Sequence, residues 1–204
     1  WASADQMICP AEKRDLLEAN GLRLGVLVGA PPAALMTLLQ TERTCVERHG
    51  RYAPSGVTVN QPLLAAKETV SCRIQHLDRV ETASLDRPIF SLDFTPKRLG
   101  PSTIRLRIVP RIETGDKLTM YKAVPEESKW RLETKRTGQS LIELGCDVDL
   151  LMNQILLIGC RSDHEETFGY GAFVRVDGPE PMQRLLVLRH LRPSAATSTA
   201  AATP

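Results

Sequence analysis

The stretch from Ile89 to Ile112, IFSLDFTPKRLGPSTIRLRIVPRI, limits the fold more than any other part of this chain. Phe90, Leu92 and Phe94 alternate with Ser91, Asp93 and Thr95, and Ile104, Leu106 and Ile108 alternate with Thr103, Arg105 and Arg107. Successive side chains of a strand point to opposite faces, so each run is a strand with one buried face. Pro96, Gly100 and Pro101 punctuate the gap between them. The two runs therefore predict an antiparallel β-hairpin.

Further strands are expected around it. Val57–Val59 is a possible strand, followed by a turn at Asn60-Gln61-Pro62. Thr69–Leu77 reads as a strand with Val70, Cys72 and Ile74 on one face. Lys117–Lys135 predicts a second hairpin, turning at Pro125-Glu126-Glu127-Ser128. Its two strands carry the rows Leu118, Met120, Lys122 and Trp130, Leu132, Thr134. Gln139–Val148 alternates with Ile142, Leu144, Cys146 and Val148 in one row, and Asp149–Asn153 makes a break. Gln154–Ile158, Gly169–Val176 and Leu185–Leu191 complete the set, with a turn at Asp177-Gly178-Pro179. Upstream, Ala11–Asn20 is a helix that stops at Asn20-Gly21, Leu22–Val28 a short strand, and Pro31-Pro32 opens a helix over Ala33–Leu39. The expected class is α+β, mainly β: a helix-strand-helix element (residues 1–45), then an antiparallel β-sheet or sandwich (46–192), then a disordered Ala/Thr/Ser/Pro tail (193–204).

Composition restricts function mainly by what it does not demand. A net charge of +2 with mixed acids and bases does not call for a polyanionic partner, and 4% aromatics is little for a base-stacking platform. Cys9, Cys45, Cys72, Cys146 and Cys160 are odd in number and without a CxxC spacing, which argues against a zinc site. One or two disulfides are compatible with export, and the spacing does not say which pairs would form. A start at Trp1 is expected of a processed product or of a sequence lacking its start. No apolar run approaches the roughly 20 residues of a membrane helix, whereas barrel strands leave a weaker trace.

Each candidate for chemistry has a plainer structural reading. Asp163-His164-Glu165-Glu166 offers metal-ligand types, but neighbours in one loop rarely converge on an ion, so a solvated loop is expected. His49, His76, His164 and His190 accompany no nucleophile elbow, HExxH helix or phosphate-binding glycine loop. Cys45 and His49 are near in sequence, and a dyad there is the enzymatic alternative. Gly25 and Gly29 lack the dinucleotide-binding spacing. Lys97, Arg98, Arg105, Arg107 and Arg111 gather near the central hairpin; Arg105 and Arg107 share a face and are expected to meet acids such as Asp93 across strands, or an acidic neighbouring subunit. A nucleic-acid module using this stripe is the other alternative. Leu150-Leu151-Met152 with Ile155–Ile158 reads as core, or as an oligomer or lipid contact.

Three pieces resemble the C-terminal module of bacterial secretins, the ring-forming outer-membrane channels of secretion and pilus systems. FSLDFTPKRLGPSTIRLRIVPRI is similar to that module's hairpin, with its threonine-proline step. Val57–Asn60 with Glu68–Ile74 resembles its upstream paired strands, and Leu141–Val148 with Asn153–Gly159 its closing pair. The match spans roughly residues 45 to 160. A single Gly159 stands where secretins carry two glycines, and Leu77–Leu85 is too short and polar for their membrane hairpin. The resemblance implies a non-enzymatic structural or assembly subunit of a bacterial cell-envelope complex that has lost pore formation, exported, periplasmic or outer-membrane associated. It implies other protein subunits, self included, as partners, membrane association through the assembly, no cofactor and no nucleic acid. Arg105, Arg107, Leu151, Met152 and Ile155 are the expected contact residues.

Overall fold

The computed structural model describes residues 1–41, 53–124, 129–176 and 180–191, with the backbone path alone for residues 117–118, 120–124 and 129–135. The elements in chain order are β1 (Ala4–Asp5), α1 (Ala11–Ala19), β2 (Leu22–Leu27), α2 (Ala33–Gln40), β3 (Val59–Ala65), β4 (Val70–Gln75), β5 (Val80–Leu85), β6 (Ile89–Arg98), β7 (Thr103–Val124) and β8 (Lys129–Ser140). They continue with β9 (Cys146–Leu151), β10 (Ile155–Cys160), α3 (Phe168–Phe173), β11 (Val174–Arg175), β12 (Met182–Gln183) and β13 (Leu186–Arg189). Strands hold 49% of the chain and helices 16%, so the fold is α+β and mainly β.

The central hairpin forms as its alternation predicts. β6 pairs β7 antiparallel from Ile89↔Glu113 to Arg98↔Ile104. Phe90, Leu92, Phe94, Leu106 and Ile108 are all buried. β3 flanks β6 as an edge strand, and β8 and β9 share the other side of β7, making a five-stranded sheet. A second sheet has the order β1-β2-β10-β13, so strands from both sides of the expected boundary at residue 45 share one sheet. Both of its faces are covered. Leu22, Leu24, Val26, Leu156 and Ile158 join the main core with the inner face of the larger sheet, α1 and α3. Leu27, Leu35, Ile155 and Leu157 form a smaller cluster under α2.

Several local expectations are corrected. Asn60-Gln61-Pro62 is not a turn but lies within β3, which slips register between Pro62 and Leu64; an edge strand tolerates a proline where an inner one would lose a ladder bond. Val80–Leu85 is a strand that pairs β4, with a half-polar pattern and no buried residue. The row over Gln139–Val148 is broken by a 3-10 turn at Ile142–Leu144, leaving Ile142 66% exposed while Leu144 is buried. The break assigned to Asp149–Asn153 begins later, because β9 runs to Leu151.

Gly169–Val176, expected as strand, is mostly helix: α3 takes Phe168–Phe173, and only Val174–Arg175 is strand. Thr167 caps the helix, accepting from the Tyr170 N–H at 3.4 Å while its hydroxyl donates to the His164 carbonyl. Gly169 and Gly21 then allow the helix to touch the α1–β2 turn. Gly21 has φ +71°, and a Cβ on Gly169 would stand 2.2 Å from the Gly21 carbonyl oxygen. Phe168 meets Phe90 edge-on, with ring centroids 5.5 Å apart, tying α3 to the central hairpin.

Candidate interaction surface

β7 is much longer than the strands beside it. β6 accompanies it only to Glu113, and β9 covers only Thr103–Ile108. From Leu118 to Val124, β7 pairs β8 alone over Lys129–Lys135. Among the described residues no third strand pairs with this distal ribbon. Its root is an irregularity: Gly115, Asp116 and Lys117 stand against Arg136 alone, between the pairs Thr114↔Thr137 and Leu118↔Lys135. Such a bulge bends and twists a strand, here at the point where β6 ends.

The turn at Asp86-Arg87 holds that root. Gly115 donates its N–H to the Asp86 carbonyl at 3.2 Å. Arg87, with a left-handed φ of 42°, donates from Nη2 to Asp116 at 2.8 Å, and Arg136 donates from Nη1 to the Arg87 carbonyl at 3.1 Å. Asp86 and Asp116 raise the Arg87 pKa, which keeps the guanidinium charged. The ribbon thus leaves the sheet from a fastened base.

Its register also places the two rows read from sequence relative to one another. Tyr121 opposes Leu132 and Ala123 opposes Trp130, whereas Met120 opposes Glu133 and Lys122 opposes Arg131. The rows Leu118, Met120, Lys122 and Trp130, Leu132, Thr134 therefore belong to opposite faces. The face containing Thr119, Tyr121, Ala123, Trp130, Leu132 and Thr134 carries no charged residue type. The turn at residues 125–128 lies outside the described residues.

The arginine stripe is partnered within the chain. Arg105 opposes Asp149 across β7 and β9 and grips it with two bonds, Nε to Oδ1 at 2.7 Å and Nη2 to Oδ2 at 2.9 Å. That fork holds the Asp149 carboxyl below its ordinary pKa and raises that of Arg105. Arg107 lies 3.8 Å from Asp147. The acid Asp93 pairs instead with Arg111 at 3.9 Å and accepts from Asn60 at 2.7 Å. The stripe meets acids as expected, but those of β9.

The apolar candidates separate. Leu151 is 51% exposed at the end of β9, and Met152 is half-buried in the following turn. Ile155 is only 9% exposed and packs with Leu27, Leu35 and Leu157, so it is core and not an accessible contact residue.

The chemical candidates gain little geometry. Cys45 and His49 lie outside the described residues, as do the tail 193–204 and the turn at 177–179. In the Asp163–Glu166 loop, Asp163 pairs with Arg161 at 3.0 Å, and His164 Nδ1 is 3.0 Å from the Glu18 carbonyl. Among the described residues no His, Cys, Asp and Glu group is placed to hold a metal ion. His76, missed in sequence as anything but a scattered histidine, is buried between two carboxylates. Nδ1 lies 3.0 Å from Glu143, and Nε2 lies 3.4 Å from Glu81 without meeting hydrogen-bond geometry. It stitches the β4–β5 hairpin to the 3-10 turn, and no local pattern announces a contact that spans 67 residues. No helix among the described residues is long and apolar enough to cross a membrane. Comparison of the chain with family models, curated proteins and solved structures gave no match.

Proposed function

We propose that this chain is a non-enzymatic assembly subunit, with the distal β7–β8 ribbon as its arm onto a second copy of the same chain. The carrying observation is the ribbon itself: two strands extend past every described neighbour, and among the described residues no strand pairs with either outer edge. A two-stranded ribbon is marginal in water by itself, and an open edge is a template for another strand. Strand addition satisfies both conditions at once. The uncharged row through Tyr121 and Trp130 fits a protein neighbour better than a polyanion, and the pairing of Arg105 with Asp149 weakens the nucleic-acid alternative. The resemblance of residues 45–160 to the ring-forming secretin module supports self-assembly and a place in the bacterial cell envelope.

The test is sedimentation of the intact chain over a concentration series, beside a variant in which Thr114 and Thr137 are joined by Asn-Gly. Those two residues already oppose one another, and Asn-Gly closes two-residue hairpins. The intact chain is expected to associate and the shortened one to stay monomeric. In the intact chain, amide exchange over Leu118–Val124 should slow as association proceeds. A monomer at every concentration, or assembly unaffected by loss of the ribbon, would overturn the proposal.

A further inference from the structure

The ribbon has two outer edges, and they differ. β6 and β8 pair opposite edges of β7, so the β7 edge of the ribbon is the one on which β6 stops. The Asp86-Arg87 turn occupies the base of that edge, where the Gly115 N–H donates to the Asp86 carbonyl and Arg87 reaches Asp116. Among the described residues β8 pairs no strand but β7, so its other edge has no neighbouring strand from Lys129 to Ser140. β8 holds no proline to interrupt a ladder, and Thr137, Gly138 and Gln139 near its end are exposed.

We infer that, within the self-assembly proposed above and resting on it, β8 pairs antiparallel with β8 of the second copy about a two-fold axis at Thr134. Opposed residues of an antiparallel pair share a face, and faces alternate along a strand, so a two-fold axis between two copies of one strand falls on a residue. The charges of β8 select which residue. Glu133 is its sole acid, and Lys129, Arg131 and Lys135 are the bases an even number of positions away. Setting Glu133 against Lys129 puts the axis on Arg131, which then opposes its own copy. Setting it against Arg131 puts the axis on Leu132 and brings Lys129 against Lys135. Setting it against Lys135 puts the axis on Thr134. That last register runs from Lys129 to Gln139, repeats the opposition of Glu133 and Lys135 on both sides of the axis, and opposes no like charges. Thr134 then faces Thr134, a favourable cross-strand pair. Within the chain Glu133 opposes Met120 and Lys135 opposes Leu118, so neither has a charged residue opposite it on β7. The two ribbons become one continuous sheet with β8 of each copy inside it, which removes the weakness of a two-stranded ribbon.

The experiment compares sedimentation of the intact chain, of Glu133→Lys, of Lys135→Glu and of an equal mixture of the two variants. Each variant alone opposes like charges on both sides of the axis, and its dimer dissociation constant should rise about tenfold. In the mixture one copy has only bases and the other only acids at these two positions, so the heterodimer should form with the affinity of the parent. A chain carrying both substitutions should regain that affinity by itself, and it carries the test if either single variant fails to show the amide protection of folded β6. Variants that associate as well as the parent, a mixture that associates no better than its components, or a Lys135→Glu chain that associates more tightly, as the Leu132 axis requires, would overturn the inference. A parent that stays monomeric overturns the assembly reading beneath it. A parent that associates through the ribbon while the mixture does not recover overturns the two-fold β8 pairing alone.

Discussion

Replacing Asn20 by alanine should remove more stability than its single side chain suggests. Asn20 ends α1 and is 0% exposed. Its Nδ2 donates to the Leu16 carbonyl at 2.9 Å and the Gln75 carbonyl at 2.8 Å, and its Oδ1 accepts the Gln75 N–H at 2.9 Å. Leu16 keeps a second partner, the Asn20 N–H, after truncation. Gln75 loses the partners of both its backbone groups at the end of β4. At about 1–3 kcal/mol for each buried group left unsatisfied, the loss is about 3 kcal/mol. With a urea slope of about 2 kcal/mol/M, the unfolding midpoint should fall by about 1.5 M. Asn20→Asp sharpens the test, because it keeps the shape and the acceptor but turns an oxygen toward two carbonyls. Burial beside those oxygens raises the new carboxyl's folded pKa above its unfolded value. Asn20→Asp should therefore be destabilised at neutral pH and recover as pH falls through the folded value, where the protonated acid can donate. An alanine variant within about 0.3 M of the parent at equal slope would refute this account of Asn20.

Two further outcomes follow from the same geometry. The Asp149 carboxyl should titrate below its ordinary 3.8 and return toward it in Arg105→Gln, read by NMR. Since its folded pKa is the lowered one, the pair's stabilisation is complete at neutral pH and fades as pH falls through that value. Ile155→Ala should cost about 2–4 kcal/mol in denaturant unfolding as a core truncation, whereas Leu151→Ala should stay within about 0.5 kcal/mol in the dissociated chain.

What could be read from sequence divides by the range of the interaction. β6 and β7 were legible because their alternation is local and their inner rows are buried. So was the order α1, β2, α2, where caps, prolines and an apolar run fall in sequence. α3 was not, because aromatic and small residues suit a strand until Thr167 caps them and Gly21 admits them closely. β5 escaped notice because a surface hairpin strand needs no apolar row. The ribbon's hairpin was visible, but not its faces, because the three-against-one bulge at its root sets the pairing. The arginines were correctly read as a shared face, yet their acids lie on β9, about 40 residues onward. Ile155 reads from sequence either as core or as a contact residue, because its run looks the same whether α2 covers it or not.

The order β1-β2-β10-β13 also sets a timetable. β2 is complete by Leu27 with the two-residue β1 on one edge, but β10, its neighbour on the other edge along its whole length, starts at Ile155. At about 5–20 residues per second, a ribosome takes roughly 6–26 s to make the intervening chain. Throughout that interval Leu22, Leu24 and Val26 lack the strand that will cover them, while β6 and β7 can already pair. Maturation of this protein therefore proceeds from its middle outward, and β2 waits for a second partner that has not yet been synthesised.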